Sequence, residues 1–148
     1  ETVTPGDSVT VEGFVKTVSG ERTVSASSVA VGSNGPVPAP LGMRSTLLGG
    51  AELGRQKGVR GSAGLNNIGL LVGVTGRVTH AAADFFYLDD GSYLKDGSGM
   101  TGVKVLANAL PVPAEGAMVK VTGISSCFKP DAELRPLILA TSAVVCAD

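Results

Sequence analysis

Few residues of this chain could do chemistry, and they do not form a catalytic set. The single histidine, His80, has no cysteine or carboxylate at the spacing of metal ligands. Nucleophile-elbow, Walker and His-Glu-x-x-His motifs are absent from the sequence. We therefore expect a protein that is not an enzyme and that has no catalytic residues, no metal ligands and no cofactor.

The most acidic stretch of the chain contains Asp84, Asp89, Asp90 and Asp96. Their carboxylates, together with turn carbonyls, are the ligands that Ca²⁺ prefers. The EF-hand spacing is absent, and Asp-Gly-Ser sequences are ordinary turn chemistry. The turn interpretation is therefore favoured over a calcium site.

Two aromatic side chains and two cations are spaced so that neighbouring strands could bring them to one surface. Phe85 and Tyr87 share a strand, and Arg77 and Lys104 belong to flanking strands. Such a ligand face has the minimal set of groups for binding single-stranded nucleic acid. Aromatic residues make up only 4% of the chain, however, and 12 Lys and Arg are balanced by 13 Asp and Glu. Nucleic acid is therefore a less favoured partner, because no basic field attracts a polyanion.

The two cysteines raise a question of geometry. An exported chain with two cysteines ordinarily forms one internal disulfide. Cys127 and Cys146 are expected to end the last two strands, at opposite ends of a hairpin that turns between Phe128 and Pro136. The distance between them is then on the order of tens of Å, beyond the ~7 Å Cα limit of a disulfide. Two arrangements stay open: an intrachain bond across a distorted hairpin, and a bond between Cys127 of one subunit and Cys146 of the next.

The elements that must position these residues are short strands separated by turns, as 21 Gly and 8 Pro in 148 residues indicate. Apolar and polar residues alternate over residues 8–15 and return over residues 23–31, which predicts an N-terminal β-hairpin across residues 1–32. Its unpaired strands could contact another subunit through their valines. These valines are Val9, Val11, Val15, Val24, Val29 and Val31.

The rest of the chain divides into a connector and a barrel. Residues 33–67 are rich in Gly and Pro and predict a long connector pinned by scattered leucines, with a short helix near residues 47–53. Residues 68–148 contain five predicted strands, at 70–80, 85–89, 102–106, 118–124 and 137–145. Their order is that of a five-stranded OB-like barrel, so the predicted fold class is all-β. No apolar stretch approaches the ~20 residues that span a bilayer.

An internal repeat relates the hairpin to the end of the barrel. The segment from Gly6 to Gly13 aligns with the segment from Gly116 to Gly123 at an offset of 110 residues, and residues 22–31 resemble residues 135–145. The alternative is chance, because Val-Thr-Gly alternation is common in β proteins. If the repeat is real, the hairpin corresponds to the last two strands of an OB unit.

Several motifs resemble the OB-fold-like repeats of secreted multidomain bacterial proteins of unassigned function. These motifs are LNNIGLLV at 65–72, GRVT at 76–79, FYLDDGS at 86–92 and VTGISS at 121–126, with the connector-like segments PAPLGM at 38–43 and LGG at 48–50. The resemblance implies an OB-like barrel and an exported location. It implies no activity.

Two functions are compatible with these features. The first is an extracellular structural or interaction module, a subunit of a surface assembly or filament that self-associates by strand pairing or stands in tandem repeats. The second is an OB-fold binding domain for single-stranded nucleic acid or oligosaccharide. Regular polymers in electron micrographs would favour the first.

Overall fold

The computed structural model describes residues 2–146 and contains eight strands and one short 3₁₀ helix. The strands of the N-terminal hairpin are β1 (Asp7–Val18) and β2 (Glu21–Asn34), and a short β3 (Leu41–Gly42) precedes the 3₁₀ helix (Ser45–Leu47). The remaining strands are β4 (Leu71–Ala81), β5 (Phe85–Asp89), β6 (Val103–Leu106), β7 (Met118–Phe128) and β8 (Arg135–Val145).

Strands β4 to β8 form a closed barrel. Their order is β4-β5-β6-β8-β7, and β7 pairs again with β4 to close the sheet. All of these pairings are antiparallel except that between β6 and β8, which is parallel. The predicted all-β fold class, a five-stranded barrel preceded by a hairpin, is therefore confirmed.

The barrel core follows from the alternation of side chains along each strand. In β4, Val72, Val74 and Val78 point inward and are buried, whereas Thr75 and Arg77 point outward. Phe86 and Leu88 of β5 are likewise fully buried. Further strands add inward side chains to the same core: Val103, Val105, Val119, Val121, Ile138 and Ala140.

The connector folds onto the barrel. Leu48 is fully buried in the barrel core, and the buried side chain of Asn67 fixes the segment. The Oδ1 atom of Asn67 accepts hydrogen bonds from the Gly49 N–H at 2.9 Å and from the Ser125 hydroxyl at 2.7 Å. The short helix predicted near residues 47–53 is absent, because Gly49 and Gly50 adopt positive φ angles that end the single 3₁₀ turn.

The hairpin is a long two-stranded ribbon. Strands β1 and β2 pair only with each other among the described residues, and all of their residues are exposed or half-buried. The strands are longer than predicted, since they extend to Val18 and Asn34. The ribbon contacts the barrel mainly at its turn.

Candidate ligand and assembly surfaces

Three of the four predicted ligand-face residues lie together on the barrel wall. Tyr87 of β5 pairs with Lys104 of β6, and Phe85 lies two residues away on the same face. The Lys104 Nζ atom is 4.1 Å from the centre of the Phe85 ring and 5.1 Å from that of Phe128. The His80 ring is 6.1 Å from the Phe85 ring, centre to centre. The result is a small aromatic cluster capped by one cation.

Tyr87 is not an open surface on which a base could stack. Only 4% of the residue is exposed, and burial raises the pKa of its hydroxyl. The loop after β5 places Ser98 and the buried Asp96 beside it. The predicted stacking platform is therefore reduced to Phe85 and the side chain of Lys104.

Arg77 does not join this cluster. It pairs with Asp89 at the other end of β5, and its guanidinium donates a hydrogen bond to the Gly116 carbonyl at 2.7 Å. There it lines an open cleft of about 710 Å³, together with Tyr93, which is 71% exposed, and Met100. The sequence does not predict this cleft, because Tyr93 and Met100 belong to an irregular loop with no periodic pattern.

Hydrogen bonds keep one carboxylate of the acidic stretch ionised at this cleft. Burial opposes ionisation of Asp90, but hydrogen bonds from Ser92 and Ser45 outweigh it and lower the pKa of the carboxyl group. Over residues 2–146, no group of three or more His, Cys, Asp or Glu side chains could hold a metal ion. The acidic residues act here as turn residues, since Asp89, Asp90 and Asp96 each accept hydrogen bonds from backbone N–H groups within four residues.

The six valines predicted as a contact strand occupy one face of the hairpin, which we call the valine face. They form three cross-strand pairs: Val9 with Val31, Val11 with Val29, and Val15 with Val24. Five of them are 43% to 58% exposed, and Val31 is half-buried. The opposite face is mainly polar, with Phe14 as its most exposed apolar residue at 81%.

The two hairpins of the chain share a bulge at equivalent positions. The β1–β2 register shifts between Glu12 and Gly13, and the β7–β8 register shifts between Thr122 and Gly123, which is the offset of 110 residues. A Cβ added at Gly13 would lie 2.9 Å from the Ala26 Cα, and one added at Gly123 would lie 2.9 Å from the Ala140 Cα. Both glycines therefore allow the same close approach of backbones.

Side-chain and turn contacts repeat as well. The Ser27 hydroxyl donates to the Glu12 carbonyl at 3.1 Å, and the Thr141 hydroxyl donates to the Thr122 carbonyl at 3.2 Å. Before each hairpin lies the same turn, in which the Asp7 N–H donates to the Thr4 carbonyl and the Ala117 N–H donates to the Ala114 carbonyl. These shared details favour a true repeat over chance alternation.

The turn of the hairpin is fixed to the body by a buried glutamine. The Gln56 side chain accepts a hydrogen bond from the Arg22 N–H at 2.8 Å and donates one to the Gly20 carbonyl at 3.0 Å. The Glu21 carboxylate accepts a hydrogen bond from the Ser126 hydroxyl, and the Leu134 side chain lies against Gly20. Sequence reasoning missed Gln56 because nothing in its neighbourhood marks it as buried.

The structure contains no disulfide, and both cysteines are free thiols. Cys127 pairs with Pro136 at the turn end of the β7–β8 hairpin, whereas the Cys146 N–H donates to the Met118 carbonyl at the open end. About 30 Å of strand separates them, so the intrachain bond is not formed. Burial raises the pKa of the Cys127 thiol to about 11, with the Glu21 carboxylate adding to the effect. A bond from Cys127 to another subunit would require its surroundings to open.

No helix among residues 2–146 is long and apolar enough to cross a membrane. A scan of protein-family models, a search of curated proteins and a search of solved structures each found no match to this chain.

Proposed function

We propose that this chain is a non-enzymatic, extracellular structural module that joins a neighbouring β-unit through its valine face. The observation that carries the proposal is the set of three valine pairs on one face of the ribbon, whose opposite face is mainly polar. A contiguous apolar face rimmed by polar residues is typical of an interaction surface. The hairpin also offers two strand edges whose backbone groups can pair with another strand.

The energetics support a contact of this kind. Burying a fully exposed valine side chain yields roughly 1.5–3 kcal/mol, so a half-exposed one yields about 1 kcal/mol. Five such valines provide about 5 kcal/mol before backbone pairing and before the entropic cost of association. That is enough for a specific contact when a neighbour is held close, as in a surface assembly, a filament or a tandem array. The resemblance to exported repeats supports the extracellular location.

Sedimentation velocity over a range of protein concentrations tests the proposal. We expect the chain to self-associate through its valine face and a variant with Val9→Thr, Val11→Thr and Val29→Thr to remain monomeric, because Thr keeps the shape of Val without its apolar surface. Phe14→Thr is the matched control, since it removes a larger exposed apolar side chain from the opposite face. A chain that stays monomeric at every concentration contradicts the proposal, as does a triple variant that associates like the parent.

The cleft beside β4 favours a second candidate function, the binding of an oligosaccharide. An exposed aromatic ring beside carboxylates and a guanidinium suits a polar, ring-shaped ligand, and the Asp89 and Asp90 carboxylates at the cleft repel phosphates. Calorimetric titration with neutral oligosaccharides tests it, with Tyr93→Ala expected to abolish binding and Phe85→Ala expected to leave it unchanged. Binding of a labelled oligonucleotide at physiological salt that depends on Phe85 and Lys104 would point to the aromatic cluster instead.

A further inference from the structure

We propose that the hairpin closes a second five-stranded barrel, together with a three-stranded unit of the β4–β6 type that is joined to it through the turn at Thr4–Asp7. The inference rests on the proposed function, since it identifies the neighbour that the valine face contacts. The barrel of this chain supplies the template, because its own closing hairpin is the structural copy of β1–β2.

Each position of the valine face has a counterpart in the closing hairpin. Both hairpins carry the same bulge, so the correspondence holds residue by residue through the two strands. In the order Val9, Val11, Val15, Val24, Val29 and Val31, the counterparts are Val119, Val121, Ser125, Ile138, Ala143 and Val145. The first four counterparts are fully buried, whereas the four corresponding valines are 43% to 58% exposed. In the barrel, other strands cover these four positions, and no strand among the described residues covers the equivalent positions of the hairpin.

In the barrel, the cover consists of β4, β5 and β6. Strand β4 pairs antiparallel with the outer edge of β7, and β6 pairs parallel with the outer edge of β8. Strand β5 lies between them and contributes Phe86 and Leu88 to the core. The same geometry around the first hairpin requires one strand antiparallel to β1, one parallel to β2 and a third that joins them.

A second copy of this barrel does not fit as the cover. In every copy, the edges of β4 and β6 that would receive a hairpin are already paired with β7 and β8. A closed barrel has no free edge to offer. The cover must therefore be a three-stranded unit that lacks a closing hairpin of its own.

The turn before the hairpin indicates how that unit is attached. In the barrel, the chain leaves β6, places Val112 against the core and enters β7 through the turn at Ala114–Ala117. That turn contains Gly116 at a φ of 86°, and the equivalent turn at Thr4–Asp7 contains Gly6 at a φ of 97°. A unit of the β4–β6 type that precedes this turn in the same polypeptide would reach the valine face by the same path.

Two positions specify how the missing unit differs from β4–β6. Ser125 donates a hydrogen bond to Asn67 in the barrel, but its counterpart in the hairpin is Val15, which has no polar group. In the missing unit, an asparagine at the position equivalent to Asn67 would lack the hydrogen-bond donor that Ser125 provides in the barrel. The missing unit therefore carries an apolar side chain at the position equivalent to Asn67. It also fills the space that is left because Val24 is smaller than its counterpart Ile138.

The test adds the missing unit to residues 7–148 of the chain. A copy of residues 68–116, which omits Asn67, is joined directly to Asp7, so that its last glycine takes the place of Gly6. Amide hydrogen exchange is then measured along β1 and β2, and the oligomeric state is measured by sedimentation. We expect the outward N–H groups of β1 to exchange about 100-fold more slowly or better, and we expect self-association through the valine face to disappear.

Two further chains complete the design. The control extension carries Val74→Asp and Phe86→Asp in the added copy, which blocks formation of a core, and should give no protection. The rescue chain carries residues 64–116 with Val15→Ser and Val24→Ile in the hairpin, which restores the side chains found at both positions of the closing hairpin. Protection of β1 in either active extension but not in the control supports the inference.

The results separate this inference from the proposed function. If neither active extension protects β1, or if the control protects it equally, the second barrel is overturned. The proposed function then still stands, provided that self-association of the original chain depends on its valines. If the original chain shows no association that depends on its valines, self-association is contradicted, whereas protection of β1 by an active extension still decides the second barrel.

Discussion

Replacing one valine in each hairpin by alanine should have very different effects on stability, although the two residues occupy equivalent positions. Val121 is fully buried in the barrel core, whereas Val11 is 45% exposed on the ribbon. Val121→Ala removes apolar volume worth about 1.6 kcal/mol in transfer free energy and leaves a cavity, so we expect a loss of about 2–3 kcal/mol. Val11→Ala removes the same atoms from a half-exposed site without a cavity, so we expect a loss below about 1 kcal/mol.

Urea unfolding followed by far-UV circular dichroism measures the difference. With a slope of about 1–3 kcal/mol per M, Val121→Ala should lower the transition midpoint by about 1 M or more, and Val11→Ala should hardly move it. Val144→Ala, at a 58% exposed position on β8, calibrates the cost of an exposed valine. If Val11→Ala lowers the midpoint as much as Val121→Ala does, the valine face is already packed and the reasoning from its exposure is refuted.

Four further predictions concern single side chains. Because the pKa of Cys127 is raised to about 11, the native thiol should resist a thiol reagent at pH 8 while Cys146 reacts. The neutral thiol contributes fully to the free energy of unfolding below the pKa of the unfolded chain, near 9, and this contribution is lost as the pH rises towards 11. Because serine does not ionise in this range, Cys127→Ser should reduce the fall in the urea midpoint between pH 9 and pH 11. Gln56→Ala should change the free energy of unfolding of the barrel by less than about 0.5 kcal/mol but speed amide exchange at the hairpin turn, where two hydrogen bonds are lost; unchanged exchange would contradict the role of Gln56 as an anchor. Gly123→Ala should cost more than about 2 kcal/mol, since the new Cβ meets backbone on β8, whereas Gly42→Ala, with open space around it, should be neutral by the same urea assay.

The sequence was sufficient for those features that depend on local periodicity. The alternation of Val9, Val11 and Val15 predicted the hairpin and its apolar face, and the strand positions placed the two cysteines at opposite ends of the last hairpin. The glycine spacing suggested the repeat before any pairing was known. Each of these inferences uses residues that are neighbours in one strand or in one hairpin.

Other features depend on contacts between distant segments, which periodicity does not encode. The sequence predicts an exposed Tyr87, but the irregular loop around Asp96 and Ser98 covers it. The sequence predicts that leucines pin the connector, but it contains no signal that Leu48 does so by entering the barrel core. The anchoring role of Gln56 depends on a hairpin turn that lies 36 residues away in the chain. A single sequence contains no signal for such pairings.

The two attachments of the ribbon have a further consequence for how the molecule can move. The Gln56 side chain holds the ribbon at its turn by accepting a hydrogen bond from the Arg22 N–H and donating one to the Gly20 carbonyl, and the exposed segment of residues 35–40 holds the ribbon covalently at its open end. A body that is held at two separate points retains only rotation about the line between them. The segment also contains Pro36, Pro38 and Pro40, which stiffen an extended chain. The ribbon, and any barrel built on it, should therefore rotate about the axis through its two attachments and should not reorient freely in other directions.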